Sequence, residues 1–367
     1  MKILFYTPFN LRSRDTESLM LAFKKSGHQV FFVSQQEGYP IRTFLETNGI
    51  ETYSVKVKNR HKGILYHAKH LFRFIDFCSE KKIDIVYSHL ESANFIASVG
   101  QYFVRAKVYL CRHHIDEAAL FGFDRTLYYK ITYSFAKKIV VVSQQAVDYM
   151  IEKELIPAHK IIHINLAYDF SLYVPPDKKT VSAIRDQYSC DILLVYMGRL
   201  NSFKRPIEAI QTLECLLKAG RHAKLLLLGS GDLHGTLSEI VERKQLGDRV
   251  FFPGYVSNPL DYLSAADFLI HPSVLESSCV AVKEAGLTET PVIVCKGIGD
   301  FDSYIQNQLN GFLIDRDQFA RQAAELIDQI FGNREFLKTI GTNLKDSVLK
   351  KFSIEHILPE YSKLNGK

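Results

Sequence analysis

The chain has 367 residues, of which 47% are hydrophobic and 23% are charged. This length predicts about two domains, and the composition is typical of globular proteins rather than of disordered or disulfide-rich chains. The longest apolar run, Ile192–Met197, has six residues. Because a membrane-spanning helix needs about 20, we expect no such helix.

The net charge of +6 is unevenly distributed along the chain. Residues 1–173 carry 23 basic and 16 acidic side chains, whereas the remaining residues carry 23 and 24. The basic excess of the first half predicts an anionic partner, either a membrane surface or a nucleic acid. Since no motif of a nucleic-acid-binding module occurs in the sequence, we expect no nucleic acid.

The N-terminus and the cysteines indicate the cellular compartment. The apolar stretch that begins the chain is interrupted by Pro8, so it is too short for a signal peptide and is interpreted as the first strand of a cytoplasmic protein. The six cysteines are at least 16 residues apart, which excludes the close spacing of zinc and redox motifs. We therefore expect reduced, buried thiols.

Strand-like runs alternate with helical patterns throughout, which predicts parallel sheets covered by helices. The predicted strands of the first half are 2–6, 29–34, 83–88, 107–112, 138–143 and 161–165. Residues 174–179 combine two prolines with charges and are interpreted as a linker. The predicted strands of the second half are 192–197, 224–229, 250–254, 267–271, 291–295 and 311–314. This pattern predicts an α/β fold in which two Rossmann-like halves face a cleft.

The final segment, 352–367, is predicted to be a helix. Ser353 is a suitable N-cap residue, and the apolar residues after it recur at helical spacing. Pro359 is expected to bend this helix.

The most informative stretch follows the strand predicted at 267–271. Glu276 lies where that strand ends, and Glu284 follows eight positions later on the next helix. The carboxyl ends of parallel strands bind ligands, and the amides of residues 277–280 would be unpaired donors that suit a phosphate. Because carboxylates do not bind phosphate, we expect the two acids to bind sugar hydroxyl groups.

A second stretch places cations at the end of the strand predicted at 192–197. Gly198 allows a close backbone approach, and Arg199 and Lys204 follow in one loop before a helix. A guanidinium and an ammonium group in one loop are typical of a site for phosphate oxygens.

The second half contains, in order, the motifs GRL…K, LLLLGSGDL, DRVFFPGYV, LSAADFLIHPSVLESSCVAVKEAG, TPVIV and NGFLI. This series resembles the donor half of the retaining GT-B glycosyltransferases of family 4. In the first half, ILFYTPF, IDIVYSHLESANFIAS, KVYLCRHH and KKIVVVSQQAV are similar to the other half of these enzymes. The resemblance implies an acceptor-binding domain at 1–173, a nucleotide-sugar-binding domain at 174–351 and a C-terminal helix, 352–367, that packs back on the first domain.

The resemblance also implies the activity, which is transfer of a sugar from a UDP- or GDP-type nucleotide-sugar to a glycan or lipid-linked acceptor in cell-surface polysaccharide or glycolipid synthesis. Configuration would be retained, and neither a metal nor another cofactor would be needed. Arg199 and Lys204 would hold the diphosphate, Glu284 the ribose and Glu276 the donor sugar. His113 would lie near the transferred sugar, although the adjacent His114 is the alternative. The other implied donor-binding residues are Gly198, Val256, Ser278, Cys279 and Val280, and the implied acceptor-binding residues are Arg12, Arg14, His89 and His114.

The sequence departs from the family pattern at two places. Ser277, Ser278 and Cys279 stand where the family usually has Gly-Phe-Gly, and the first loop lacks the usual paired glycines. A nucleotide-sugar epimerase or hydrolase of the same fold, or a non-catalytic GT-B partner protein, therefore remains an alternative. Turnover of a nucleotide-sugar distinguishes the last of these from an enzyme.

Two further patterns suggest other ligands. Residues 229–235 resemble a dinucleotide fingerprint, but the strand predicted at 250–254 ends without a ribose-binding acid, so we do not expect NAD. Asp300 and Asp302 have the spacing of a metal-binding pair, but no further ligand lies near them in the sequence. We interpret them as part of a turn.

Residues 56–82 combine basic and apolar side chains. The apolar residues Ile64, Leu65, Ala68, Leu71, Phe72 and Ile75 form one stripe at helical spacing, which we expect to pack on the first sheet. Basic residues around the stripe, including Lys58, Arg60 and Lys62, predict reversible contact with the anionic inner face of the cytoplasmic membrane.

Overall fold

The computed structural model describes residues 1–10, 12–36, 40–55, 63–115 and 126–366. The chain forms two compact units, one comprising Met1–Leu172 and Phe352–Lys367 and the other Tyr173–Lys351. Each unit is a parallel sheet covered by helices, so the expected class of two Rossmann-like α/β domains is confirmed.

The first unit contains a seven-stranded parallel sheet in the order β3-β2-β1-β4-β5-β6-β7. Its strands are β1 (Lys2–Thr7), β2 (Gln29–Ser34), β3 (Glu51–Ser54), β4 (Ile85–His89), β5 (Lys107–Arg112), β6 (Lys138–Val141) and β7 (Ile161–His163). The order reverses between β1 and β4, and such a switch point is where open α/β sheets bind ligands.

The helices of the first unit lie between these strands in the chain. They are α1 (Arg14–Lys25), α2 (Pro40–Thr47), α3 (Ile64–Lys81), α4 (Glu91–Gly100), α5 (Thr126–Phe135) and α6 (Gln144–Glu152). The central strands are apolar on both faces because helices cover both sides of the sheet.

The second unit contains a six-stranded parallel sheet in the order β10-β9-β8-β11-β12-β13. Its strands are β8 (Ile192–Met197), β9 (Ala223–Leu228), β10 (Val250–Gly254), β11 (Phe268–His271), β12 (Val292–Cys295) and β13 (Phe312–Ile314). Its helices are α7 (Lys178–Gln187), α8 (Pro206–Lys218), α9 (His234–Arg243), α10 (Pro259–Ala265), α11 (Val280–Leu287), α12 (Phe319–Ile330) and α13 (Arg334–Phe352). Here the strand order reverses between β8 and β11.

The last helix, α14 (Ile354–Leu364), belongs to the first unit. Tyr361 is buried in the core of that unit, and the hydroxyl of Tyr87 donates to Oδ1 of Asn365 over 2.8 Å. The hydroxyl of Tyr109 donates to the carbonyl oxygen of Leu364 over 2.9 Å. Pro359 lies inside this helix.

Each predicted strand is present, and the differences have physical causes. Strand β3 was not predicted because its sequence, Glu-Thr-Tyr-Ser, is polar and half exposed at the edge of the sheet. The linker prediction is wrong for its last two residues, since α7 begins at Lys178. There Oδ2 of Asp177 accepts from the amide of Thr180 over 2.9 Å and caps the helix.

The prediction that the apolar stripe of α3 packs on the sheet is wrong for two of its residues. Leu65 and Phe72 are each 66% exposed. The buried face of α3 instead carries Tyr66, His70 and Phe74, and the ring of Phe74 lies 5.2 Å from that of Tyr6. Spacing alone could not distinguish this aromatic face from the aliphatic one.

Among the helices that the structure describes, none is both long enough and apolar enough to cross a membrane. Lys58, Arg60 and Lys62 lie outside the described residues.

Candidate functional site

In the second unit, the loop after β8 is held by its own hydrogen bonds. The hydroxyl of Tyr196 donates to the carbonyl oxygen of Arg199 over 2.9 Å, and Oδ1 of Asn201 accepts from the amide of Lys204 over 3.0 Å. The side chain of Arg199 is exposed, and that of Lys204 is half-buried. The loop therefore carries two cations, of which Arg199 is the more exposed to solvent.

The glycines after β9 serve close backbone packing. A Cβ atom on Gly229, whose φ is +128°, would lie 2.1 Å from the carbonyl oxygen of Gly198. Because real Cβ atoms do not approach so closely, only glycine fits there. A Cβ atom on Gly231 would likewise lie 2.4 Å from the carbonyl oxygen of Leu200, so close packing explains these two glycines of the pattern that resembles a dinucleotide fingerprint.

Glu276 is the centre of a buried hydrogen-bonded cluster at the carboxyl end of β11. Its Oε1 atom accepts from Nζ of Lys204, and Nε2 of His271 lies 2.6 Å from the same oxygen. The Sγ atom of Cys279 lies 3.3 Å from Nε2 of His271. These contacts join the loop after β8 to the loop after β11.

The cluster fixes the charges of its members. Burial alone would raise the pKa of Glu276, but Lys204 and His271 outweigh it and lower that pKa to about 2. Burial would lower the pKa of His271, but its contacts with Cys279 and Glu276 raise it to about 9. Burial likewise disfavours charged Lys204, yet Glu276 raises the pKa of this lysine. At neutral pH the cluster is a carboxylate between two cations.

The pKa of His271 predicts how stability changes with pH. A raised folded-state pKa stabilises the protein fully below the unfolded value of 6.5, and this contribution is lost as the pH rises through about 9. We expect the unfolding free energy, measured by denaturant titration, to fall between pH 7 and pH ~9.5. The His271→Asn variant should lack this fall, and an equal fall in both proteins would contradict the assignment.

Helix α11 begins beside the cluster, with Cys279 at its N-cap position. The helix itself starts at Val280, and the dipole at its first turn favours an anion. Val280 is 39% exposed, and Glu284 is half-buried one turn further along the helix. The arrangement suits a phosphate at the helix start with a carboxylate nearby.

Asp300 and Lys283 form a buried ion pair behind this turn. Nζ of Lys283 lies 2.9 Å from Oδ2 of Asp300, and the two side chains are 1% and 2% exposed. The hydroxyl of Ser278 donates to the same Oδ2 over 2.6 Å, and Nζ of Lys283 also donates to the carbonyl oxygen of Cys279 over 3.2 Å. The pair therefore holds the Ser-Ser-Cys loop in place.

The turn that carries Asp300 is pressed against Glu276. A Cβ atom on Gly299, whose φ is +61°, would lie 2.9 Å from Cβ of Glu276. Asp302 is directed differently, since its Oδ2 accepts from the amide of Gly297 over 2.7 Å. The two acids that the sequence presents as a pair have separate structural roles.

The buried pair predicts a strongly non-additive effect of mutation. Lys283→Met should lower the unfolding free energy by about 3–5 kcal/mol, because it leaves the carboxylate of Asp300 buried and unpaired. The double variant Lys283→Met, Asp300→Asn should recover much of that loss. Denaturant unfolding of the two variants and the parent checks this, and a double variant that is no more stable than Lys283→Met would contradict it.

In the first unit, His113 follows β5 and lies beside His89, which ends β4. Nε2 of His113 lies 2.8 Å from Nδ1 of His89, and Nδ1 of His113 lies 3.9 Å from Oδ2 of Asp15. Burial lowers the pKa of His113, which Asp15 opposes only in part, and burial together with His113 lowers the pKa of His89. Both imidazoles are therefore neutral at pH 7.

The backbone around these histidines is constrained. Arg112 is fully buried and makes a bidentate pair with Glu154, at 2.5 and 2.9 Å. Its guanidinium also donates to the carbonyl oxygens of His114, over 2.8 Å, and Ile115. Arg112 thus fixes the loop that carries His113 and His114.

The strand end at His89 is constrained differently. Leu90 follows it with φ 68° and ψ 172°, a region in which non-glycine residues are strained by about 1–3 kcal/mol. Such outliers persist where the surrounding structure holds them, and they cluster at functional sites.

The arginines expected to contact an acceptor are paired within the first unit. Nε and Nη2 of Arg12 donate to the two carboxylate oxygens of Glu17, over 2.7 and 2.8 Å. Arg14 lies 3.7 Å from the same carboxylate, which is completely buried. Both arginine side chains are about 40% exposed, so they still reach solvent.

The structure brings together Lys204, Glu276 and Cys279 in one unit, and His89 and His113 in the other. Val256 is half-buried in the loop after β10, and none of the contacts above involves it. Residues that the sequence analysis did not single out include His271, Lys283, Arg112, Glu154 and Asp15. The sequence did contain a signal for His271, which is a histidine directly before a strand-end loop. It contained no signal for the buried ion pairs of Lys283 and Arg112.

The donor atoms of His271, Glu276 and Cys279 lie within 4.8 Å of one another, so these residue types could hold a metal ion. In the structure the same atoms are hydrogen-bonded to each other, and Glu276 also to Lys204. A metal would have to displace a proton from His271 and compete with the charge of Lys204.

Comparison with known proteins identifies the class. A family model described as "Glycosyl transferases group 1" matches residues 177–347, and one described as "Glycosyl transferase 4-like domain" matches residues 13–166. The solved structure of HepE from Anabaena in complex with UDP has a TM-score of 0.84 to this chain at 19% identity, covering 99% of both chains. The chain therefore belongs to the glycosyltransferases with the GT-B fold, of the family 4 type.

Similar curated proteins act on different substrates. The chain is 23% identical over 347 residues to N-acetyl-alpha-D-glucosaminyl L-malate synthase of Bacillus anthracis, which covers 91% of this chain and 88% of that enzyme. It is 21% identical over 341 residues to UDP-Gal:alpha-D-GlcNAc-diphosphoundecaprenol alpha-1,3-galactosyltransferase of Escherichia coli, with coverages of 87% and 84%.

Proposed function

We propose that the protein transfers a sugar from a UDP-type nucleotide-sugar to a glycan or lipid-linked acceptor, with retention of configuration and without a metal cofactor. The observation that carries this proposal is the Lys204–Glu276–His271 cluster beside the first turn of α11. It combines a cation, a carboxylate and an anion-binding helix end, as a diphosphate-linked sugar requires. The complexes of HepE with UDP and UDP-glucose support the choice of base.

Breaking the bond between sugar and phosphate leaves negative charge on the departing diphosphate. Fixed cations and amides stabilise such charge better than water does, because they need no reorganisation. Arg199, Lys204 and the first turn of α11 would supply these groups. Since they supply the positive charge that Mg²⁺ provides in other phosphate sites, we expect transfer without a metal.

Glu276 would bind hydroxyl groups of the donor sugar. Its low pKa keeps it an acceptor at neutral pH, and Lys204 can turn from it towards the diphosphate when the donor binds. Glu284 would bind the ribose. His113, neutral and hydrogen-bonded to His89, would contact the transferred sugar or its acceptor.

The acceptor would be bound by the first unit, with Arg12, Arg14 and His114 near the end of β1 and β5. Glu17 neutralises part of the charge of both arginines, which favours a sugar acceptor over a highly anionic one. The basic excess of residues 1–173 supports work at the inner face of the cytoplasmic membrane, in polysaccharide or glycolipid synthesis. The acceptor of the galactosyltransferase named above is lipid-linked, which supports the same reading.

The first test removes the cations of the loop after β8. Arg199→Ala and Lys204→Ala should each lose about 1.5–3 kcal/mol of donor interaction, with transfer slowed by up to about 10²–10³-fold. Transfer is measured as nucleotide release and product formation with a panel of nucleotide-sugars. Lys218→Ala, at the far end of α8, is the matched control.

Four outcomes of this test would overturn the proposal. Unchanged turnover in both variants would reject the donor site. Nucleotide release without an acceptor product would indicate a hydrolase, and conversion of the nucleotide-sugar itself would indicate an epimerase. Binding of nucleotide with no turnover of any donor would indicate a non-catalytic protein.

The second test separates the two glutamates. Glu284→Gln should chiefly weaken binding of free UDP, since the ribose lies far from the reacting bond. Glu276→Gln should lower turnover by about 10²-fold or more and change sugar preference, with UDP affinity near that of the parent. Calorimetry with UDP and steady-state kinetics check the division, and equal losses of UDP affinity would reject it.

A further inference from the structure

Helix α5 has an unusual outer face. Its inner side chains, Tyr129, Thr132 and Tyr133, are buried. On the outside, Leu127 is 68% exposed, Ile131 39% and Phe135 50%, at a spacing of four residues. The outer face of a surface helix is normally polar. Packing among the residues of this unit that the structure describes therefore does not explain the apolar row on α5.

Aromatic side chains extend this row beyond the end of the helix. Tyr102 and Phe103 are 55% and 64% exposed. The hydroxyl of Tyr102 donates to the carbonyl oxygen of Phe135 over 2.9 Å, so the two segments are continuous. Nζ of Lys137 lies 4.7 Å from the centre of the Tyr102 ring. A cation over an aromatic ring at the rim is typical of surfaces that meet water on one side and apolar material on the other.

Helix α3 presents a related surface, and helix α4 connects it to α5. The ring of Phe95 on α4 lies 5.1 Å from that of His67 on α3 and 4.9 Å from that of Tyr128 on α5. Helix α4 thus packs between α3 and α5. The outer side chains of α3 include the exposed Leu65 and Phe72 together with Lys69, Arg73 and Asp76.

Helix α5 carries positive charge and no negative charge. The sequence of α5 contains Lys130, which is exposed between Leu127 and Ile131, and neither Asp nor Glu. Arg105, Lys137 and Lys138 are exposed near the aromatic pair. We call Tyr102, Phe103, Leu127, Ile131 and Phe135, with Lys130 and Lys137, the α5 face.

We propose that the α5 face docks this enzyme reversibly on a bilayer that contains anionic lipids. The apolar row would enter the boundary between headgroups and acyl chains, and the lysines would lie among the anionic headgroups. A second copy of the chain fits less well, because the lysines of two α5 faces would oppose each other. The inference rests on the proposed function for its purpose, which is to hold the enzyme where a lipid-linked acceptor resides.

The docking surface differs from the one that the sequence indicates. The sequence points to the basic residues of 56–82, including Lys58, Arg60 and Lys62, whereas the structure points to apolar side chains on α5 with lysines around them. The two surfaces should respond differently to salt. Basic residues alone bind a membrane by electrostatic attraction, which salt screens, whereas inserted aromatic and aliphatic side chains add binding energy that salt does not screen.

The test is flotation of the full chain with vesicles of phosphatidylcholine alone or mixed with phosphatidylglycerol. We expect much stronger binding to the mixed vesicles than to the neutral ones, and high salt should weaken binding to the mixed vesicles without abolishing it. Ile131→Ser with Phe135→Ser should lower the partition coefficient about tenfold or more, and Lys130→Gln with Lys137→Gln about fivefold per charge. Leu309→Ser with Lys218→Gln, in the other unit, is the matched control and should bind as the parent does.

Several results would overturn the proposal. Equal binding to neutral and mixed vesicles would do so, as would unchanged binding of the Ile131, Phe135 variant. Loss of binding only when Lys58, Arg60 and Lys62 are neutralised would assign docking to those residues instead. If light scattering shows that the Ile131, Phe135 variant converts a dimer to a monomer, the α5 face is an interface between copies of the chain.

The experiments distinguish a failure of the proposed function from a failure of the docking proposal. Transfer to a short, water-soluble acceptor analogue should be the same in the Ile131, Phe135 variant and the parent, which also shows that the variant is folded. If no nucleotide-sugar supports transfer but vesicle binding depends on the α5 face, the glycosyl-transfer proposal is wrong and the docking surface stands.

Discussion

The second unit is organised around one buried carboxylate. Glu276 holds Lys204 from the loop after β8 and His271 from the end of β11, so segments up to 72 residues apart in the chain meet at a single oxygen. A buried carboxylate without these partners would be protonated or would destabilise the fold. The same contacts that make the carboxylate tolerable also keep it charged, and a charged acceptor is what a hydroxyl-rich ligand needs.

Around this carboxylate, the Ser-Ser-Cys turn lacks the glycines of the family pattern and is held by other contacts. Ser278 is fixed by Asp300, and Lys283 reaches both Asp300 and the carbonyl oxygen of Cys279. A buried ion pair contributes little to net stability, but breaking it is costly, so it favours one geometry strongly over others. In this chain the Lys283–Asp300 pair holds the turn in one conformation, where the family pattern has glycines.

The first unit uses a similar device. Arg112 is buried with Glu154 and binds the carbonyl oxygens of the loop that carries His113 and His114. In both units a buried cation holds the backbone at the carboxyl end of a strand, and the side chains assigned to the reaction lie on the held loop. The strand fixes where the loop starts, and the ion pair fixes which way it runs.

The sequence by itself determined every strand except β3, the two Rossmann-like halves, the loops that carry Arg199 and Glu276 and the helix that carries Glu284, because apolar runs and strand-end motifs are local signals. It did not determine which face of α3 is buried, since its aliphatic and aromatic stripes have the same period. It gave no sign that Lys283 meets Asp300, that Arg112 meets Glu154 or that Lys204 meets Glu276, because charges distant in the chain acquire partners only when the sheet brings the strand ends together. The tertiary structure decided these pairings, and with them the protonation of the site and the exposure of the α5 face.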